Sequence, residues 1–157
     1  MKRTLVVLTM MLCGLILAGT SSALAQKMMK KMMKQAMMMT PEDMKWEEMK
    51  GGPPGIMYCN CSGDVMKGAH ATMIKLPANM KNPLHTHSAD YKLVILSGSL
   101  VAGPEGGPEK SYGAGSFLTV PAGTKHTSGA GPDGCTMYQE GTGKFDMKPV
   151  AMPKAKM

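Results

Sequence analysis

Three of the four histidines lie in two short segments whose composition is typical of β-strands. His85 and His87 are one residue apart, and His126 follows a Pro-Ala-Gly turn at residues 121–123. Because side chains alternate faces along a strand, His85 and His87 are predicted to share one face. Neutral imidazole is a ligand for Zn, Cu, Fe and Ni. The three histidines are therefore candidate ligands of one metal ion.

The pattern of apolar runs and turn residues predicts an all-β domain that would position these histidines. Strand-like segments occur at residues 56–61, 69–76, 85–90, 91–97, 99–102, 116–120, 125–128 and 135–140, separated by Gly, Pro, Asn and Asp. No segment has the pattern of a β-α-β crossover, which argues against a parallel α/β fold. A short helix over residues 44–49 is also predicted, because Thr40-Pro41 followed by two acidic residues is a helix-start signal.

The spacing of these residues resembles the two-motif pattern of the cupins, G-x5-HxH-x3,4-E-x6-G followed by G-x5-PxG-x2-H-x3-N. The resemblance spans residues 46–150. Within the cupins, the chain is most similar to small single-domain members of unknown function. It implies a cupin barrel, which is a double-stranded β-helix of the jelly-roll class. The matching positions are His85, His87, Gly98, Gly115, Pro121, Gly123 and His126.

Three positions depart from this pattern: Asn79 replaces the first glycine, Tyr91 the glutamate, and Ala130 the last asparagine. Without the glutamate, the predicted ligand set is three neutral histidines that hold a divalent transition metal, Fe, Mn, Ni, Cu or Zn. Such a site resembles three-histidine cupins that oxidise thiols or diketones. Tyr91 is the candidate catalytic residue, as proton donor or fourth ligand. Asp90 is the rival fourth ligand, but strand alternation turns it away from the histidines.

The first 25 residues have the pattern of a cleaved secretory signal. Lys2 and Arg3 precede an apolar run at residues 5–18, and Ala23-Leu-Ala25 is a cleavage site. The run is shorter than the ~20 residues that a membrane-spanning helix needs. We therefore predict cleavage after Ala25 and a periplasmic or secreted protein.

Residues 26–40 form a low-complexity segment before the predicted cupin domain at residues 41–157. Residues 27–39 contain four lysines and seven methionines but no acidic residue, which accounts for much of the formal charge of +7. As a helix this stretch would be basic and amphipathic. It could serve as a mobile tether, bind an anionic membrane surface, or capture Cu(I) through thioethers. Nucleic-acid binding is not supported, because no aromatic residues are interleaved with the lysines.

Three cysteines remain after the predicted cleavage: Cys59, Cys61 and Cys135. Cys135 is the better disulfide partner for either of the others, and the alternative is that all three are free, buried thiols. His70, on a predicted strand without a histidine neighbour, is interpreted as structural.

Three functions are compatible with the sequence. They are a small metal-dependent enzyme of the oxygenase type, a non-enzymatic cupin that binds or senses a small molecule or metal, and an exported Met-rich copper-handling protein. Whether the protein is an enzyme is left open at this point, as is association into a homodimer.

Overall fold

The computed structural model of the protein describes residues 37–151. Its contacts divide the chain into two units, Met1–Glu42 and Asp43–Met157. In the described part of the first unit, residues 37–40 have no regular secondary structure, and Pro41 begins a 3₁₀ turn that ends at Asp43. Residues 37–151 contain no helix whose length and hydrophobicity would let it span a bilayer.

The second unit is all-β, and every strand pairing is antiparallel. The strands in the described part of the chain are β1 (Glu47–Glu48), β2 (Met57–Gly63), β3 (His70–Leu76), β4 (Lys81–Thr86), β5 (Tyr91–Pro104), β6 (Lys110–Gly113), β7 (Phe117–Val120), β8 (His126–Gly141) and β9 (Lys148–Pro149). Strand β8 pairs with β5 along one edge and with β3 and β4 along the other. The predicted jelly-roll fold is confirmed.

The two longest strands, β5 and β8, bend through irregularities in their shared register. One lies between Ile95 and Ser97 and the next between Gly98 and Leu100. Gly98 has a φ of 66°, and a Cβ atom there would collide with the carbonyl oxygen of Gly134. This position therefore requires glycine, and the bend lets the pair curl around one core.

The core fills the inner face of the curled sheet with aliphatic, Met and Tyr side chains. Alternate residues of β3, from His70 through Thr72 and Ile74 to Leu76, are buried, as expected for a strand with one face inward. The buried core cluster comprises Met49, Ile56, Tyr58, Val65, Ile74, Leu76, Leu93, Ile95, Leu100, Ala130, Cys135 and Met137.

The predicted N-terminal helix over residues 44–49 is wrong. The chain makes only the 3₁₀ turn and then strand β1, in which Glu47 and Glu48 pair with β2. The side chains hold this pairing: Tyr58 Oη donates to Glu47 at 3.0 Å, and the Gly55 amide donates to Glu48 at 3.0 Å. A six-residue helix is too short to be stable alone, so tertiary pairing overrides the local start signal.

Several predicted strand boundaries also differ. Strand β4 ends at Thr86, so residues 87–90, which were predicted to extend a strand from His85, form a turn into β5. The predicted pairs of short strands at 91–97 and 99–102, and at 125–128 and 135–140, are single bent strands. Strand β6 was not predicted. Glycines inside β5 and β8 indicated turns, but long-range pairing continues through them as bulges.

All three cysteines in the described chain are free thiols, as in the alternative to a disulfide, although Cys61 is only half-buried. Cys135 belongs to the inner core cluster, whereas Cys59 is buried outside it and directly follows Tyr58, a member of the cluster. Successive strand residues point to opposite faces. The two thiols therefore lie on different sides of the sheet.

Candidate metal centre

Two of the three candidate histidines face each other across a strand pair. His85 near the end of β4 is the register partner of His126 at the start of β8. Their ring centroids are 4.3 Å apart. Directly opposed residues of an antiparallel pair share one face, so the strand pairing alone brings these imidazoles together.

His87 reaches the same place from the turn that follows β4. Its ring centroid lies 4.9 Å from that of His85 and 5.2 Å from that of His126. One ring nitrogen from each histidine lies within 4.8 Å of the other two. His85 and His87 are buried and His126 is half-buried. The structure thus brings the three predicted residues together, while their role as metal ligands stays a prediction.

Each imidazole is held through Nδ1 by a backbone carbonyl. His85 Nδ1 bonds Pro83 O at 2.7 Å, His126 Nδ1 bonds Thr124 O at 3.0 Å, and His87 Nδ1 bonds Asp146 O. A carbonyl oxygen can only accept, so Nδ1 must carry the proton in each ring. The lone pair is then on Nε2. This is the arrangement by which proteins orient metal-binding histidines.

Burial lowers the pKa of His85 and of His87, which keeps these two rings neutral. It lowers the pKa of His87 to about 4, an effect partly offset by the bond to the Asp146 carbonyl and reinforced by the neighbouring His85 and His126. The pKa of His85 is also lowered, mainly by burial. Neutral imidazole is the form that binds a metal, so the donor set fits a divalent transition ion.

Residues 144–150, here called the strap, contact Tyr91, pair with β4 and fix the turn that carries His87. The Asp146 carboxylate accepts hydrogen bonds from Ser88 N at 2.8 Å and Ser88 Oγ at 2.6 Å. Further along, β9 pairs with His85 and Thr86. Sequence reasoning missed these contacts, since nothing local to Ser88 indicates a partner 58 residues away.

The histidines open onto a cavity of about 80 Å³ inside the barrel. Among the described residues that line it, none is acidic and none is lysine or arginine. Its walls are mostly aliphatic, and its polar side chains besides the histidines and Tyr91 are Asn82, Ser128 and Gln139. The Gln139 amide approaches His70 Nε2 at 3.3 Å, while His70 Nδ1 bonds the Gly68 carbonyl at 3.0 Å. His70 is thus satisfied within the core, in keeping with a structural role.

A sequence model of the ChrR cupin-like domain matches residues 34–145, well over half of the chain. The protein belongs to this cupin family. The predicted cupin membership is therefore confirmed. A search of curated protein sequences gave no significant match.

Solved cupin structures share the fold at low sequence identity. The polyketide cyclase RemF from Streptomyces resistomycificus superposes with a TM-score of 0.61 at 17% identity, covering 76% of this chain and 89% of that protein. An RmlC-like cupin from Ralstonia eutropha JMP134 gives 0.56 at 20% identity, covering 69% of each chain. The DMSP lyase DddQ from Ruegeria pomeroyi DSS-3 gives 0.53 at 21%, covering 72% and 64%.

The cupin glutamate position is occupied by Tyr91, which is 2% exposed. Its ring centroid lies 4.8 Å from that of His87, and its hydroxyl donates to Lys144 O in the strap at 3.1 Å. Burial raises the pKa of Tyr91 to about 12. The side chain is therefore a neutral phenol at neutral pH. Asp90, the rival ligand, instead accepts a hydrogen bond from the Ala122 amide at 2.8 Å.

The other two departures from the cupin pattern have structural explanations. Asn79, at the position of the first glycine, has a φ of 59°. Asparagine tolerates this left-handed conformation better than other residues with side chains, so it can replace glycine there. Ala130, in place of the last asparagine, is buried in the core cluster.

Proposed function

We propose that this cupin is a metal-dependent enzyme that binds one divalent transition metal through His85, His87 and His126. Its substrate would be a small organic molecule held in the adjoining cavity. The observation that carries this proposal is the convergence of three imidazoles, each fixed through Nδ1, in the lining of a mostly apolar cavity. When bound, the metal would supply a Lewis acid with open positions for water, O2 or a chelating substrate.

The protein's own residues would bind and orient the substrate and keep water away from it. The aliphatic walls favour an apolar body, and Tyr91 would offer a phenolic proton close to His87. No carboxylate lines the described cavity, so a reaction that requires a carboxylate as general base has no residue to perform it. This composition favours oxygenase-type chemistry.

Known relatives of the fold are compatible with this proposal. Two of the superposed structures are named as a polyketide cyclase and a DMSP lyase. At these identities the likeness extends to the fold only, which hosts many activities. It supports a small-molecule partner as a class, and the substrate has to be found by experiment.

Metal analysis tests the proposal directly. The protein would be produced with Fe, Mn, Ni, Cu and Zn supplied, and its metal content measured by mass spectrometry. We expect one ion per chain, and a loss of at least about tenfold in His85→Ala or His126→Ala with unchanged circular dichroism. His70→Gln is the matched control, because His70 lies outside the cluster. A metal-free wild-type protein would refute the site.

An oxygen-electrode screen tests the reaction type. Thiols and diketones would be supplied to the metal-loaded protein, and oxygen uptake that depends on His126 would support the oxygenase assignment. Saturable ligand binding without any turnover would favour a non-enzymatic binding or sensing cupin. One observation favours this second function: the Tyr91 hydroxyl is already bonded to Lys144 O and burial raises its pKa to about 12, so it is a weak proton donor at neutral pH.

We also propose that the protein is exported after cleavage behind Ala25, into the periplasm or the medium. The supporting residues, 1–25, lie outside the described part of the chain, as do residues 27–36 of the Met-rich segment. Intact mass of the exported protein tests this, with Gln26 as the expected first residue.

Deleting residues 27–39 should leave metal content unchanged and reduce binding to anionic vesicles. If Cu(I) binding fell instead, the copper-handling function would be favoured.

A further inference from the structure

One buried polar atom in the described chain has no hydrogen-bond partner: the side-chain oxygen of Asn82, Oδ1. Asn82 is only 7% exposed. Buried polar groups in folded proteins are almost always paired, because an unpaired one loses its hydration without compensation. An orphan of this kind indicates a partner that the protein alone does not supply.

The rest of the Asn82 amide is fixed. Its Nδ2 donates to Ser128 Oγ at 3.0 Å, and the two residues are register partners on β4 and β8. This pair lies on the same two strands as the His85 and His126 pair: Asn82 is three residues before His85 on β4, and Ser128 is two residues after His126 on β8. With the amide held by Ser128, its oxygen has one fixed direction.

Asn82, which carries the unpaired oxygen, lines the same cavity as the three histidines. Asn82 and Ser128 both line it, among apolar neighbours such as Leu100 and Leu118. No other protein donor is within hydrogen-bonding distance of Oδ1. A molecule in the cavity can therefore meet both the acceptor on Asn82 and the imidazoles.

We propose that Asn82 Oδ1 accepts a hydrogen bond from the organic molecule that the cavity binds, and so selects ligands that carry a hydroxyl or N–H group on an apolar body. The inference rests on the proposed function in one respect, that this cavity is the ligand site. The proposal narrows the class of ligand, because ketones and hydrocarbons have no hydrogen-bond donor for Asn82 Oδ1. Carboxylates gain nothing from Asn82, and no lysine or arginine of the described chain lines the cavity.

A matched pair of probes tests this selection. Cyclopentanol and cyclopentanone share a ring, but only the alcohol can donate a hydrogen bond. Their dissociation constants would be measured on metal-free and metal-loaded protein by NMR titration that follows side-chain amide signals. We expect wild-type protein to bind the alcohol about tenfold more tightly than the ketone, the size of one net hydrogen bond.

Variants assign the preference to one atom. Asn82→Leu should reduce the alcohol-to-ketone ratio to about one, since the acceptor is gone. Gln139→Leu is the control: it removes the other buried amide of the cavity, which already contacts His70, and should leave the ratio unchanged. If Asn82→Leu does not fold, Asn82→Ala replaces it. Ser128→Ala should weaken the preference, because the Asn82 amide is then no longer held in one orientation.

The outcomes separate this inference from the proposed function. Equal affinity for the two probes in wild-type protein would mean that water satisfies Oδ1, and would overturn the inference. Preference for the ketone would mean that the amide is turned over, and would overturn it too. If neither probe showed saturable binding, the inference about Asn82 would also be overturned. Alcohol preference in a protein that binds no metal would defeat the proposed metal centre alone.

Discussion

His85 and His126 are supported differently from His87. The first two bond through Nδ1 to carbonyls two residues earlier in their own segments, those of Pro83 and Thr124. His87 bonds instead to the Asp146 carbonyl, 59 residues further along the chain. Two of the three imidazoles are therefore oriented by local backbone, and the third depends on tertiary structure.

This difference divides the site into a part that the barrel strands build and a part that the strap completes. Strand pairing places His85 opposite His126, and β9 of the strap adds a second neighbour on the other side of His85. His87 lies in a turn whose serine neighbour is tied to Asp146. The orientation of a ligand affects metal affinity strongly, often by 10- to 100-fold when a supporting hydrogen bond is lost. The strap should thus control affinity without contributing a predicted ligand.

Of the changes that test this difference, removing the strap should have the largest effect on metal affinity. A chain ending at Phe145 keeps the three histidines and the Lys144 carbonyl but loses Asp146 and β9. We expect Zn²⁺ affinity to fall by about 100-fold, measured by competition with a chromophoric chelator. A chain ending at Ala151 is the control and should bind normally. Equal affinity of both shortened chains would show that His87 orients itself.

A single substitution in the strap should have a smaller effect. Asp146→Ala removes both hydrogen bonds to Ser88 but leaves the backbone carbonyl that His87 uses. We expect metal affinity about tenfold weaker, because the turn is less well fixed. Thr124→Ala is the matched change on the local side and should have no effect, since only the Thr124 carbonyl contacts His126.

The stability of the metal-free protein should depend on pH through the protonation of His87. Its pKa of about 4 in the folded state lies below the ordinary 6.5, so the unfolded chain binds the proton first as the pH falls. Stability is therefore complete above pH 6.5 and is lost between pH 6.5 and 4, by an amount on the order of 2 kcal/mol. Thermal denaturation across this range measures it. His87→Gln should show a shallower decline, and an identical decline would assign the loss to other groups.

Tyr91→Phe should have the smallest effect on the site. It removes the hydrogen bond to Lys144 O, so we expect a loss of about 1 kcal/mol in the free energy of unfolding and nearly full metal occupancy. Denaturant titration and metal analysis measure the two quantities. If an oxidation is found in the screen above, loss of turnover with metal retained would identify Tyr91 as its proton donor. A large loss of metal would identify it as a ligand.

The barrel and its three histidines could be predicted because their signals are local. Motif spacing and strand alternation indicated His85, His87 and His126. Strand alternation does not explain the position of His87, however, because β4 ends at Thr86 and His87 lies in the turn that follows. Asp146 and Asn82 carried no such signal. Their importance arises from partners 58 and 46 residues away, which only the folded chain brings near.

The strap would also determine when the proposed metal site is completed during synthesis. Translation proceeds at about 5–20 residues per second, so the 59 residues between His87 and Asp146 take roughly 3 to 12 s to make. During that interval the local pair, His85 and His126, becomes available before the third imidazole has its support. A nascent chain would therefore hold a metal only loosely. The ion that finally occupies the centre would be determined by the compartment in which the completed chain folds.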